Sequence, residues 1–91
     1  MSYRVDLAPP AQRAIERLRP IVRIAVGGVI ASLANQPRPP HSRKVSGADL
    51  YRIRIRVDGV PWRVVYRVSD IDRLVTVTRV VRRDEATYRR L

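Results

Sequence analysis

Between Leu50 and Val68 the chain alternates apolar and polar residues on both sides of Asp58-Gly59. Tyr51, Ile53, Ile55 and Val57 interleave with Arg52, Arg54 and Arg56. Past the Asp-Gly pair, Trp62, Val64, Tyr66 and Val68 interleave with Arg63, Val65 and Arg67. Period-two alternation gives a strand one apolar and one polar face. Asp-Gly between two such runs predicts a tight hairpin, because both central residues of a type I′ turn need φ > 0. With Val57 opposite Val60, counting outward sets Ile55 against Trp62, Ile53 against Val64 and Tyr51 against Tyr66 on one face. Arg54 then opposes Arg63 on the other face, with Arg52 and Arg56 diagonal to Arg63. Like charges directly opposite one another destabilise a strand pair, so this surface stands to gain from an anion.

The rest of the chain supplies partners for the apolar face. Tyr3, Val5 and Leu7 alternate with Arg4 and Asp6 as a first strand, which Ala8-Pro9-Pro10 breaks. Ala11, Ala14, Ile15 and Leu18 recur at helical spacing and predict an amphipathic helix over about residues 9 to 19. Pro20 stops it and can open a second, more apolar helix from Ile21 to Asn35. Gly27-Gly28 costs that helix about 1 kcal/mol per glycine relative to alanine, for which close packing against another element is the expected return. Asn35 to Pro40 is a stiff loop, and His41 to Asp49 reads as a polar, basic connector. Ser69 to Asp72 makes a second turn, and the β-branched run from Leu74 to Val81 is a last strand. The final segment, Ala86 to Leu91, reads as a short helix or a frayed tail. The order strand, helix, helix, strand, strand, strand describes an α+β domain. An αα-hairpin packs on a small, mostly antiparallel four-stranded sheet and leaves the arginine face open.

Composition sharpens the picture at the open face. The 91 residues carry 19 Lys+Arg against 8 Asp+Glu, a net charge of +11. At this length one small domain spanning 1–91 is expected. The excess is spread along the whole chain rather than held in a basic tail, and a folded domain so charged points to a polyanion, nucleic acid first. Lys44 is the sole lysine, and planar arginine forks suit bidentate phosphate contacts. Without cysteine there is no disulfide framework and no thiolate zinc site. The opening MSYRVDLAP lacks an apolar signal-peptide core, and the longest apolar run is far short of the ~20 residues needed to span a bilayer. A cytoplasmic protein with no cofactor, no metal and no membrane association is the expectation.

The sequence resembles the RelE/ParE toxin superfamily of bacterial type II toxin–antitoxin systems, and most of all its RelE branch. The resemblance runs from Tyr3 to Tyr88. It is carried by the loop LANQPRPPHSRKVSG, by Tyr51-Arg52-Ile53-Arg54, by Trp62-Arg63-Val64-Val65-Tyr66 and by the spacing from Arg83 to Tyr88. It implies a ribosome-dependent mRNA endoribonuclease that blocks translation from the ribosomal A site, contacts ribosomal RNA there, and is neutralised by a cognate antitoxin. Cleavage by 2′-OH attack needs a base, cations for the crowded phosphorane and an acid for the leaving 5′-oxygen, none of which must be a metal. Carried over by position, Arg52 and Arg54 match the family's basic pair on the first hairpin strand, and Arg63 its arginine at the scissile phosphate. Counting from the strand assigns the next family arginine to Arg83, while counting back from the tyrosine assigns it to Arg82. Tyr88 matches the C-terminal tyrosine, a general base or a stacking platform. Arg56, Arg82 and Lys44 are candidate RNA contacts. The family pair is often lysine, and arginine in its place favours electrostatics over proton transfer.

Not every candidate calls for a function. Trp62, Tyr66, Tyr51 and Tyr3 fall on apolar faces and read as core; His41 reads as a solvated loop residue. Arg79 either joins the cationic face or covers an edge. Arg13, Arg17, Arg19 and Arg23 read as helix surface. Two rival functions remain open: a ParE-like DNA gyrase inhibitor of the same fold, and a non-catalytic RNA-binding module.

Overall fold

The computed structural model describes residues 2–45 and 49–83. Strand β1 (Arg4–Leu7) leads into helices α1 (Pro9–Glu16) and α2 (Pro20–Ser32), followed by strands β2 (Ser42–Lys44), β3 (Leu50–Val57), β4 (Val60–Ser69) and β5 (Leu74–Arg82). The five strands form one sheet in the order β1-β5-β4-β3-β2, with β1 parallel to β5 and every other pair antiparallel. This is the expected α+β architecture with one strand more than the pattern predicted. The extra strand is β2, which falls in the segment read as a connector. Its three residues, all polar, are too few to display an alternation. It lies at the sheet's edge, where short, charged strands discourage further pairing.

Both helices begin on proline, Pro9 and Pro20, with no side-chain cap. Proline's fixed φ suits the first helical turn, where its missing N–H has no helical partner in any case. Pro20 also sets where α1 ends. The residue before a proline is pushed out of the α region, and Arg19 is extended (ψ 153°). Helix α1 therefore stops at Glu16, short of the predicted boundary, while Leu18 still reaches the core. The expectation for Gly27-Gly28 is overturned. Both glycines are exposed, and a Cβ at either would meet nothing within 4 Å. They face outward because Val22, Val26, Ile30 and Leu33 fill the inward stripe.

The hairpin has the register read from its turn. Val57 pairs with Val60, Ile55 with Trp62, Ile53 with Val64, Tyr51 with Tyr66 and Arg54 with Arg63. Asp58 (φ 50°) and Gly59 (φ 78°) carry the positive φ values of a type I′ turn. Ile53, Val64 and Tyr66 are fully buried beneath the helices together with Val75 and Val77 of β5. Tyr66 stacks on Tyr51 with ring centroids 5.8 Å apart, and its hydroxyl donates to the carbonyl of Pro37 at 2.8 Å. The aromatic residues of this face, including half-buried Trp62 and Tyr3, belong to the core or pack against it. They are packing residues, as the pattern suggested.

Strand β5 holds one irregularity. Opposite β4, Val65 pairs with Arg79 but Tyr66 pairs with Val77, so Thr78 is an extra residue on β5. This β-bulge changes which side chains face the helices: Val75 and Val77 do so before it, Val80 after it. The Thr78 hydroxyl donates to the Val65 carbonyl at 3.2 Å across the bulge.

Candidate nucleic-acid interface

The face turned away from the helices is built in rows across the strands. One row runs Arg43, Arg52, Val65, Arg79; the next runs Arg54, Arg63, Val81. In a third, Arg56 lies opposite Pro61, whose carbonyl accepts the Arg83 backbone N–H at 3.0 Å. Strand alternation alone would have turned Arg79 and Arg83 towards the helices. The bulge at Thr78 turns them outward, beside the hairpin arginines. The spacing of Val75, Val77 and Val80, two and then three, is the sequence signal of that switch.

Arg63 is the one buried charged side chain among the described residues, at 7% exposure. It stands in mid-sheet with Arg54 directly opposite on β3 and Val81 on β5. Close cationic neighbours in a partly desolvated site raise its demand for an anion. Arg83 is half-buried, and its Nε has no hydrogen-bond partner among the described residues. A guanidinium N–H left so costs about 1–3 kcal/mol, which a bound phosphate oxygen would recover. Arg52, Arg63 and Arg79 line a cleft of about 250 Å³ whose other walls are Val45, Leu50, Val65 and Thr78. Arg56 folds back on the turn, donating to the Gly59 carbonyl at 3.1 Å. Arg43 donates to the carbonyls of Pro40 and Ser42.

Other candidates are placed elsewhere. Arg82 lies opposite Trp62 on the helix side of the sheet, in a cleft shared with Ala14, Arg17 and Leu18. Lys44 lies opposite Tyr51 at the sheet's edge, also off the arginine rows. Tyr88 lies outside the described residues. His41 is exposed. Arg43 and Arg79 thus belong to the face although neither was among the primary candidates, Arg43 because its strand was not recognised.

A second polar cluster was not anticipated. Arg38, in the proline-rich loop, makes a bidentate pair with Asp70 at 3.0 and 2.9 Å, and its Nε donates to the Tyr51 hydroxyl at 2.9 Å. The Tyr3 hydroxyl donates to the same carboxylate at 2.6 Å. These bonds join the N-terminal segment, the loop, β3 and the β4–β5 turn at one end of the sheet. The hydrogen bonds from Arg38, then that from Tyr3, hold the Asp70 carboxyl below its ordinary range, and the bond to Asp70 raises the Tyr3 phenol. Burial raises the Tyr66 phenol. Arg38 and Asp70 are 32 residues apart, and no local pattern links them. Among the described residues no group of His, Cys, Asp or Glu could hold a metal ion, and no helix is long and apolar enough to cross a membrane.

Two helices on one side of a five-stranded sheet, with arginine rows on the other, define a small basic α+β domain. Residues 5–87 match the family of the ParE toxin of type II toxin–antitoxin systems, parDE, and the chain belongs to that family, within the RelE/ParE toxin superfamily. No curated protein matches it in sequence. Among solved structures it is similar to a double arginine mutant of the Escherichia coli toxin RelE in the free state. The TM-score is 0.79 at 26% identity, covering 100% of both chains. It is likewise similar to the intact E. coli RelBE toxin–antitoxin complex, with a TM-score of 0.75 at 26% identity over 87% of this chain and 94% of that one. The archaeal RelE–RelB complex of Pyrococcus horikoshii shares the fold, with a TM-score of 0.69 at 24% identity over 94% of this chain and 100% of that one.

Proposed function

We propose that this toxin is a ribosome-dependent mRNA endoribonuclease. The observation that carries the reading is the arginine face itself, with Arg63 buried at its centre and Arg52, Arg54 and Arg83 around it. In the reaction the 2′-oxygen loses its proton and attacks the adjacent phosphorus. The P–O5′ bond breaks, and the 5′-oxygen leaves with a proton, giving a 2′,3′-cyclic phosphate and a 5′-hydroxyl. Charge builds on the phosphorane oxygens, where preorganised guanidinium groups act most strongly. Arg63 is assigned to the scissile phosphate, Arg52 and Arg54 to its orientation and Arg83 to the developing charge. Arg83 takes this role rather than Arg82 because it shares the open face. Tyr88 is assigned as the base or as a stacking platform. An ordinary phenol has a pKa near 10, so the base role depends on surrounding cations. The RelE–RelB complexes among the structural relatives support a cognate antitoxin that neutralises this chain.

The family match favours a second reading, a DNA gyrase inhibitor of the ParE type. The two separate on one measurement. Primer extension on cellular mRNA soon after induction should show breaks phased to codons. Growth arrest without such breaks, accompanied by loss of gyrase supercoiling, would establish the gyrase reading instead.

A further inference from the structure

The open face is cationic but not uniformly so. Val45, Leu50, Val65 and Thr78 line the cleft that Arg52, Arg63 and Arg79 wall. Phosphate accounts for the walls and leaves the floor unexplained, because an anion gains nothing from valine and leucine side chains. The register shows how the two are combined. Val65 sits between Arg52 on one neighbouring strand and Arg79 on the other. Two guanidinium stems thus stand about 10 Å apart, two strand spacings, over an aliphatic pad. The flat group that suits both surfaces is a nucleobase, whose face stacks on guanidinium planes and tolerates apolar contact. Its size fits as well. A cleft of about 250 Å³ falls just below the roughly 300–1,000 Å³ typical of sites for whole drug-sized ligands, which suits a single base.

We infer that this cleft is a nucleobase subsite, seating one unstacked base of single-stranded RNA between Arg52 and Arg79 on the floor of Val45, Leu50 and Val65. The inference rests on the ribonuclease reading and gives that site a means of choosing where to cut. The bulge at Thr78 is part of its construction, since it brings Arg79 to this side of the sheet.

The test titrates AMP, CMP, GMP, UMP and ribose 5-phosphate into the protein and follows the methyl resonances of Val45, Leu50 and Val65. The nucleotides should bind about tenfold more tightly than ribose 5-phosphate, near the low end of what one stacked base contributes, and should move these methyls. Equal binding of ribose 5-phosphate would overturn the subsite. So would methyls that respond to a polyglutamate peptide and not to nucleotides, for the cleft would then belong to a protein partner. In cells, Leu50→Trp, which fills the cleft, and Leu50→Ala, which deepens it, should redistribute breaks among codons. Breaks at the same codons as wild type would sink the subsite and leave the ribonuclease standing. Nucleotide-shifted methyls in a protein that leaves no mRNA breaks would have the opposite meaning.

Discussion

The two faces of the central sheet are built from the same strands and obey different physics. On the helix side, Ile53, Val64, Tyr66, Val75 and Val77 are excluded from water and touch one another. On the other side, arginines stand in rows, and Arg54 is held directly against Arg63. The first face loses free energy when a side chain shrinks; the second sets like charges directly opposite one another at Arg54 and Arg63. Neighbouring residues one position apart in sequence therefore meet different demands, exclusion from water on one face and crowding of like charge on the other. Arg63 is the exception, because it is both buried and charged.

The comparison can be broken most forcefully from the helix side. Ile53→Ala should lower unfolding free energy by about 2–5 kcal/mol, the range for a large aliphatic truncated in a core, as read from urea denaturation. From the other side, Arg63→Ala should abolish growth arrest, with cleavage reduced about 10²–10³-fold, as for removal of one transition-state donor. Its stability loss should stay below that of Ile53→Ala, and antitoxin binding should survive. A folded Arg63→Ala protein that remains fully toxic would remove Arg63 from the site. Away from both faces, Gly27→Ala and Gly28→Ala should each stabilise α2 by roughly 0.5–1 kcal/mol, measured by denaturation. A loss of stability there would mean that the open space beside them is needed by something else.

The smallest expected effect concerns the Arg38 cluster at one end of the sheet. Asp70 is held below its ordinary range by Arg38 and Tyr3, so folding favours its ionised form. That contribution is fully present above the unfolded aspartate value of about 3.9. It fades as pH falls through the lower folded value, a window from about pH 5 downward. Thermal melts should show wild type losing more than Asp70→Asn between neutral and acid pH; parallel pH profiles would show that the pair adds nothing to stability.

Legibility followed the range of the interactions. The hairpin register was readable because the Asp-Gly turn and alternating residues fix it within a few positions. The packing of Tyr51, Trp62 and Tyr66 followed from the same alternation. Strand β2 was not readable, since three polar residues take their strand conformation from β3 rather than from their own pattern. The Arg38–Asp70 pair depends on the loop and the β4–β5 turn meeting in three dimensions. The choice between Arg82 and Arg83 hung on a single residue, Thr78, whose effect appears in sequence only as a lengthened gap between buried valines.

That residue has a consequence for how such a chain can change. A substitution in β5 alters one side chain, whereas losing the spare residue Thr78 would close the bulge and leave Arg79 opposite Val65 in a regular ladder. Gaining a residue beyond the bulge has no such slack: an insertion between Val80 and Val81 would turn Val81 and Arg83 inward and Arg82 outward. A bulged strand of this kind tolerates the loss of a residue at its bulge better than the gain of one after it. Loss of Thr78 should accordingly be compatible with an active toxin, and one-residue insertions beyond it should be found mainly among copies that have lost activity.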